Sequence, residues 1–418
     1  MKKVLIVDDS KTISLMLKIE FDEIENAEVI YADSYKSAMR KIRKNKGEIH
    51  AALLDVNLPD APNGEVILLA NSHRIPTVVL TGTIDDKVKK IIKDNKVLSY
   101  VVKGTPRSTY KAFCLIKNIL RNYETTVLVV DDSKLSRGVL SEMLIKNNLK
   151  VLEAENGQEA WDILENSKEK ISLVFTDFEM PVMNGLELVI KIREVYEKDQ
   201  LGIIALSDTN KKDTINNFLK FGANDFIGKP FTKEEVSVRV NANLDLLDIF
   251  TQISNLANKD FLTGAYNRRY FFDSGEAIFK KAKRKDSSLA VVMLDIDNFK
   301  IINDTYGHYV GDIAIKEIKK ILDMNLRSSD LMARFGGEEF CVVLEDISKE
   351  DVEKLFEKMR NFFEENTIEI NDLKIKYTVS FGIAYGLQVS LEDMVISSDK
   401  ALYHSKNGGR NQVTILEC

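Results

Sequence analysis

Val4-Leu5-Ile6-Val7-Asp8-Asp9-Ser10-Lys11 opens the chain, and Val127-Leu128-Val129-Val130-Asp131-Asp132-Ser133-Lys134 repeats it a domain length later. Each copy is an apolar run of buried-strand type that stops at an acidic pair and passes into a helical pattern. Further landmarks follow in the same order in both copies. Ala51-Ala52-Leu53-Leu54-Asp55 and Leu173-Val174-Phe175-Thr176-Asp177 are strands ending in aspartate, trailed by Pro59 and Gly64 or by Pro181 and Gly185. Val78-Val79-Leu80-Thr81 and Ile203-Ile204-Ala205-Leu206-Ser207 end in a hydroxyl. Tyr100-Val101-Val102-Lys103 and Phe226-Ile227-Gly228-Lys229 end in lysine. Strands alternating with helices predict a parallel, doubly wound sheet whose ligands lie beyond the carboxyl ends of the strands, where all these landmarks fall. Each copy therefore gathers three acids, a hydroxyl and a lysine in one crevice. Packed carboxylates stay ionised when a cation sits among them, so Mg²⁺ is expected there. A neutralised aspartate can then attack a phosphoryl donor, with the lysine and hydroxyl receiving the new oxygens. Any one of these aspartates alone reads as a helix N-cap; the whole set, twice and in order, does not.

The chain has 418 residues, room for about three domains of ~150 residues each. At 44% hydrophobic and 30% charged residues, its composition is that of a globular protein with real cores. Lys+Arg 59 against Asp+Glu 65 leaves a net charge of −6, which argues against a nucleic-acid binder. The run Lys280-Lys281-Ala282-Lys283-Arg284-Lys285 is local and reads as a solvated helix end. Cys114, Cys341 and Cys418 are odd in number and far apart, so neither a disulfide framework nor a zinc knuckle is expected. Met1-Lys2-Lys3 starts like a signal peptide, but Asp8 and Asp9 end the apolar run after four residues. No stretch approaches the ~20 apolar residues of a membrane span. A cytoplasmic protein without stable membrane insertion is expected.

Past the second copy, Leu246, Leu247, Phe250, Ile253 and Ala257 recur at three- and four-residue spacings. They predict an amphipathic helix over residues 243–258 that either pairs with a copy of itself or packs on a neighbouring domain. A polar cap-and-turn segment, residues 259–269, opens the third part. Ala290-Val291-Val292-Met293-Leu294-Asp295-Ile296-Asp297 is a strand ending in acids, and a helix starts at Asn298. Asp295-x-Asp297 does not begin an EF-hand loop, because Lys300 and Tyr306 stand where that loop needs glycine and glutamate. Residues 327–340 read R-S-S-D-L-M-A-R-F-G-G-E-E-F, with Cys341-Val342-Val343-Leu344 following, which predicts a hairpin around Gly336-Gly337. The glycines let a bulky ligand approach the backbone, and Glu338 and Glu339 could hold a divalent cation there. In isolation the tetrapeptide reads equally as a plain turn with solvated acids. Placing the strand beside this hairpin would set Asp295 and Glu338 around one cation, with Lys300 for a phosphate.

The duplicated half, residues 1–245, resembles the receiver domain of two-component response regulators. The likeness implies flavodoxin-like (βα)5 folds with parallel sheets and phosphorylation at Asp55 and Asp177. It further implies Mg²⁺ on Asp8/Asp9 and Asp131/Asp132, with help from the carbonyls of Asn57 and Glu179. Thr81 and Ser207 become switch hydroxyls, Lys103 and Lys229 phosphate lysines, and Tyr100 and Phe226 aromatic switches. The donor would be a sensor histidine kinase or a phosphotransfer protein. The first copy departs from the pattern at Gly104, where the second has Pro230, and in the spacing from acceptor to hydroxyl, 26 residues against 30. That spacing predicts a helix shortened by about a turn, ~4 residues.

The third part, residues 259–418, resembles the GGDEF diguanylate cyclases, with Gly336-Gly337-Glu338-Glu339-Phe340 as the signature in its GGEEF form. The whole chain resembles the PleD class of two-receiver response regulators. The resemblance implies an α/β nucleotide-cyclase-like domain with a mainly antiparallel central sheet, acting as a homodimer. Two GTP would condense into cyclic di-GMP and pyrophosphate. Asp295, the carbonyl of Ile296, and Glu338 would hold Mg²⁺. Asn303, His308 and Asp312 would line the guanine end, and Lys300, Lys406 and Arg410 the triphosphate, with Phe299, Gly336 and Gly337 as further substrate contacts. Glu338, with Glu339 beside it, is the active-site acid, as base or as metal ligand. Arg327-x-x-Asp330 matches the family's product-inhibition site; an ordinary i,i+3 ion pair is the alternative. The implied boundaries are residues 1–122 and 125–242 for the receivers, 243–258 for a helical linker and 259–418 for the cyclase domain. A competing reading, a silent module that binds GTP or senses cyclic di-GMP, is disfavoured because every active-site position is filled. Mixed GTP and ATP use is disfavoured by Asp312, whose carboxylate suits the N1–H and N2–H₂ donors of guanine.

Overall fold

The apolar runs that open each copy become interior strands with both faces covered, which is why they lack polar alternation. The computed structural model describes residues 1–22, 27–82, 86–95, 97–208, 212–370 and 373–417, so Cys418 lies outside the described residues. The chain divides into two compact units, residues 1–249 and 250–418.

The first copy runs β1 (Lys2–Val7), α1 (Lys11–Asp22), β2 (Ala27–Ala32), α2 (Tyr35–Lys44), β3 (Ile49–Leu54), α3 (Glu65–Ser72), β4 (Thr77–Thr81), α4 (Asp86–Asp94), β5 (Ser99–Val102) and α5 (Pro106–Asn122). Its sheet is parallel throughout, in the order β2-β1-β3-β4-β5. The two-residue period of β1 feeds two cores. Val4 and Ile6 pack with Leu17, Phe113 and Ile116 of α1 and α5, while Leu5 and Val7 pack with Ala38, Ile42, Val66 and Ile67 of α2 and α3. The second copy repeats this as β6 (Thr126–Val130), α6 (Lys134–Lys146), β7 (Lys150–Ala154), α7 (Gly157–Asn166), β8 (Ile171–Thr176), α8 (Gly185–Arg193), β9 (Gly202–Asp208), α9 (Lys212–Phe221), β10 (Asp225–Lys229) and α10 (Lys233–Asn258), with sheet order β10-β9-β8-β6-β7.

The shortened helix predicted for the first copy is not found. Helix α3 has 8 residues and α8 has 9, and the missing length lies in the connection to the next strand, residues 73–76 against 194–201. The reason is burial: Val66, Ile67 and Ala70 seat α3 on the sheet, so a deletion there would strip core contacts, whereas the surface connection tolerates it. At the end of α5, Arg121 reaches Asp245 Oδ1 at 2.5 Å, Asp248 Oδ2 at 3.1 Å and Asn241 Oδ1 at 3.1 Å, tying the first copy to α10 of the second. Helix α10 continues without a break past residue 242. Val236, Val240 and Leu244 are buried in its first part, while Leu246, Phe250 and Ile253 farther along are exposed.

The second unit holds β11 (Tyr266–Asn267), α11 (Arg268–Lys285), β12 (Leu289–Ile296), α12 (Phe299–Tyr306), α13 (His308–Asn325), β13 (Leu331–Gly336), β14 (Glu339–Glu345), α14 (Lys349–Glu365), β15 (Ile368–Ile370), β16 (Leu373–Ile375), β17 (Val379–Tyr385), α15 (Leu391–Asn407) and β18 (Val413–Glu417). The six-stranded sheet runs β11-β13-β14-β12-β17-β18, antiparallel through its centre and parallel at both edges. Central β12 is buried at all 8 positions. Ala290, Val292 and Leu294 face the core under α12, α13 and α14, and Val291 and Met293 face the one under α11 and α15. Helix α15 lies at backbone contact on β17: a Cβ added at Gly382 would sit 2.0 Å from Leu402 N and 2.3 Å from Ser398 O. The basic run at the end of α11 is exposed, where cations suit the helix dipole. Among the described residues, no helix is long and apolar enough to cross a membrane.

Candidate functional site

The carboxyl ends of β1, β3 and β5 bring the receiver landmarks together as the topology requires. Asp8, Asp9 and Asp55 each offer a carboxylate oxygen within 4.8 Å of the others, and so do Asp131, Asp132 and Asp177. In each copy a lysine supplies positive charge. Lys103 Nζ lies 2.8 Å from Asp8 Oδ2 and 2.6 Å from Asp55 Oδ2; Lys229 Nζ lies 2.8 Å from Asp131 Oδ2 and 3.1 Å from Asp177 Oδ1. Burial pushes the Asp8 and Asp177 carboxyls above the usual range, with Lys103 and Lys229 opposing it. Backbone N–H groups of Ser10 and Asn57 donate to Asp8 and Asp55, which fixes both carboxylates in the turns after their strands. Asn57 and Glu179 follow the acceptors by two residues in those turns. Thr81 and Ser207 are buried at the ends of β4 and β9. Tyr100 is exposed, and the Arg239 guanidinium lies 5.7 Å over the Phe226 ring. Two residues of the second copy escaped the sequence reading. Ser136 Oγ donates to Asp131 Oδ2 at 2.7 Å, and buried Arg137 donates to the Asp131 carbonyl at 2.6 Å while pairing with Glu153 and Glu155. Their signal was available in the repeat itself, since Ile13 and Ser14 occupy the matching places of the first copy.

In the second unit β12 and the β13–β14 hairpin are sheet neighbours, with Leu294 paired to Phe340. Gly336 pairs with Glu339, leaving Gly337-Glu338 as a two-residue turn, and Gly337 takes the left-handed φ of 53° that such a turn demands. A Cβ at either glycine would meet nothing within 4 Å, so the space beside the turn is open. Asp295, at the end of β12, has a side chain only 5% exposed, with Lys406 Nζ 2.7 Å from its Oδ2. Burial raises its pKa to about 6; Lys406 opposes the rise, and the Glu338 and Glu339 carboxylates add to it. Burial likewise raises Glu339, against the pull of Lys406. Asp295 and Lys406 are thus in contact, and the Glu338 and Glu339 carboxylates lie close enough to act on Asp295 through their charge. Ile296 buries its side chain beside them.

Phe299, Lys300 and Asn303 lie on α12, and His308 and Asp312 on α13. Gly311 lets the two helices touch, since a Cβ there would fall 2.0 Å from Asn303 Oδ1. That buried oxygen has no hydrogen-bond partner among the described residues. Arg410 is exposed with φ 64° in the turn after α15. Asp330 Oδ2 accepts the Arg327 backbone N–H at 2.8 Å, and the Asp330 N–H donates to the Arg327 carbonyl at 3.0 Å. The pair is therefore a closed turn rather than a side-chain ion pair. It borders a cleft of about 470 Å³ that Lys259, Tyr266 and Lys319 also line.

Arg334 and Asp260 were not singled out from the sequence. Arg334 Nε and Nη2 donate to the Gly337 carbonyl at 2.9 and 2.6 Å, and Nη1 lies 2.8 Å from Asp260 Oδ1. Asp260 also takes the Thr263 N–H and hydroxyl, and despite burial these bonds hold its carboxyl below the usual range. One arginine thereby staples the glycine turn to the segment that opens the domain.

The diguanylate cyclase GGDEF-domain family matches residues 257–412, and the response regulator receiver-domain family matches residues 127–241. The response regulator PleD of Caulobacter vibrioides is 28% identical over 306 residues, which cover 69% of this chain and 65% of PleD. Diguanylate cyclase A of Treponema denticola is 36% identical over 211 residues, 49% of this chain and 57% of that protein. The chain thus spans less than two thirds of either relative. A solved two-component response regulator/GGDEF domain protein superposes with a TM-score of 0.52 at 37% identity, covering 59% of this chain and 100% of its own.

Proposed function

Because the chain belongs to the response regulators that carry a GGDEF domain, we propose that it is a phosphorylation-controlled diguanylate cyclase, converting two GTP into cyclic di-GMP and two pyrophosphates. The observation that carries this reading is the buried Asp295 carboxylate, raised to about 6, beside Glu338, Glu339 and Lys406 at a glycine turn. Carboxylate and carbonyl oxygens are the donors a divalent cation takes, and Mg²⁺ held by Asp295, the Ile296 carbonyl and Glu338 would lower the pKa of a 3′-hydroxyl and offset charge on the α-phosphate. Lys300, Lys406 and Arg410 bind the triphosphate, and Lys406 must exchange part of its contact with Asp295 to do so. Asn303, His308 and Asp312 hold guanine, and the Asp312 carboxylate suits its N1–H and N2–H₂ donors. Glu338 and Glu339 are the catalytic acids, with Phe299, Gly336 and Gly337 shaping the pocket. In the reaction the 3′-oxygen of one nucleotide bonds to the α-phosphorus of the other, the hydroxyl proton leaves, and the bond to the pyrophosphate oxygen breaks. Because one domain holds one GTP, two must face each other, and the enzyme acts as a homodimer.

On the same reading, Asp55 and Asp177 accept phosphoryl groups from a sensor kinase or phosphotransfer protein, with Mg²⁺ at the acid triads. Lys103 and Lys229, together with Thr81 and Ser207, then receive the phosphoryl oxygens, and the change favours the dimer. Cyclic di-GMP binds Arg327 and Asp330 as a feedback inhibitor, and the protein works in the cytoplasm. The deciding experiment incubates the purified chain with GTP and Mg²⁺ and identifies the product. Cyclic di-GMP from the wild type and none from Glu338→Gln is the expected result. Full activity in Glu338→Gln would falsify the site assignment, and a mixed product with added ATP would overturn the assignment of the guanine pocket.

A further inference from the structure

Asp297 has no role in the chemistry described so far, yet it is buried at 4% exposure and satisfied on every side. Its Oδ1 accepts from Ser380 Oγ at 2.7 Å. Its Oδ2 accepts from Thr378 Oγ1 at 2.7 Å and from the backbone N–H of Asn411 at 2.9 Å. Its own N–H donates to the Thr378 carbonyl at 2.9 Å. A carboxylate taken this far from water needs such charge-assisted bonds, and three donors supply them. The bond to Asn411 spans 114 residues and ends in the turn that follows α15.

That turn holds two consecutive non-glycine residues in the left-handed region, Arg410 at φ 64° and Asn411 at φ 49°. Each such residue costs about 1 kcal/mol or more, so the conformation persists only where its surroundings impose it. The Ser405 carbonyl takes the Arg410 N–H at 3.0 Å, and Asp297 supplies the constraint on Asn411 from β12's end, two residues beyond Asp295. The two carboxylates act as successive fastenings between the same pair of segments: Asp295 takes Lys406 at 2.7 Å, and Asp297 takes Asn411 at 2.9 Å, with Arg410 in the stretch between.

We propose that Asp297 is a positioning residue for the phosphate-binding turn, fixing Arg410 where the triphosphate of GTP is to be received. The inference rests on reading this domain as a GTP-using enzyme, and it adds a specific dependence: the contribution of Arg410 to nucleotide binding requires the Asp297–Asn411 bond. Asp297→Asn keeps the size and the Ser380 acceptor but loses the second anionic oxygen that receives the Asn411 N–H.

The test is a double-mutant cycle on the full chain, with Asp297→Asn, Arg410→Ala and the pair. Two quantities are read: KM and kcat for GTP, and equilibrium binding of 3′-deoxy-GTP, which lacks the attacking hydroxyl and cannot turn over. Asp297→Asn should weaken 3′-deoxy-GTP binding and raise KM by about tenfold, with kcat changed far less, the size of one lost hydrogen bond to a charged group. In the Arg410→Ala background the same substitution should change binding less than about twofold. Penalties that multiply in the double variant would overturn the proposal, because a merely structural Asp297 loosens the fold with or without Arg410. Should Asp297→Asn not fold, Thr378→Val removes one donor while keeping the carboxylate. It should then show a smaller effect in the same direction, again absent without Arg410; an effect that survives in Arg410→Ala would overturn the proposal too. A wild type that neither binds 3′-deoxy-GTP nor turns over GTP removes the enzymatic reading itself. Normal wild-type binding with independent penalties removes only the role of Asp297.

Discussion

At the residue scale, the proposed cation role of Asp295 turns its raised carboxyl into a pH dependence of nucleotide binding. Its pKa of about 6 lies above the ordinary 3.8, so between these two values the folded domain holds a proton there that the unfolded chain has released. The stabilising effect of that proton is complete below 3.8 and is lost as the pH rises through about 6. Cation binding runs the other way, because only the ionised carboxylate is a ligand. Affinity for Mg²⁺ with 3′-deoxy-GTP should fall about tenfold for each pH unit below 6, and Asp295→Asn should flatten that slope, as measured by calorimetric titration. Gly337 gives a prediction of a different kind. A Cβ there meets nothing, so Gly337→Ala should cost only the left-handed strain, about 1–2 kcal/mol of stability in thermal unfolding. Asp295 and Glu338 stood out in the sequence from a strand end and a glycine turn, whereas Lys406 entered only through the family resemblance. Arg334, Asp260 and Asp297 were not legible, since their meaning lies in contacts with residues far away along the chain.

At the element scale, the β13–β14 hairpin is held from outside its own ladder. Arg334→Ala would leave the Gly337 carbonyl without its donor and Asp260 without its counter-charge. A loss of about 1–3 kcal/mol is expected, together with a fall in turnover as the turn carrying Glu338 loosens. Asp260→Asn on the Arg334→Ala background should add less than it does alone, and additive losses in unfolding midpoints would show that the staple does not act as one unit. Strand ends were easy to read, because apolar runs stopping at Asp8, Asp55 or Asp295 mark the place where a buried strand meets the crevice. The shorter spacing in the first copy was misread for an equally physical reason. Spacing counts residues between landmarks but does not say where they were lost, and burial of Val66, Ile67 and Ala70 placed the loss in the connection. Helix α10 differs: its continuity from Lys233 to Asn258 was there to be read, since no cap or breaker residue interrupts it, but the change in amphipathic pattern after residue 242 suggested a separate linker.

At the scale of the whole molecule, the duplication and the third domain were legible because each repeats or concentrates several landmarks in order. On the proposed function, which of the two copies governs activity is a matter for measurement. With beryllofluoride as the acyl-phosphate mimic, the protein concentration giving half-maximal specific activity should drop by about tenfold or more, as expected when one state dimerises better. Asp55→Asn and Asp177→Asn tested singly should locate the response, and activity indifferent to both concentration and mimic would rule out control by association. Arg121→Ala, which removes three contacts to α10, should blunt any response that depends on Asp55 while sparing one that depends on Asp177. Finally, the backbone contact between α15 and β17 at Gly382 bears on evolution as well as on rigidity. No side chain stands between that helix and the sheet to be exchanged for a longer or shorter one, so the height of Lys406 above Asp295 has no adjustable shim. In a saturation-mutagenesis map scored for product, Gly382 should therefore appear as blank as Glu338, although it touches neither nucleotide nor metal.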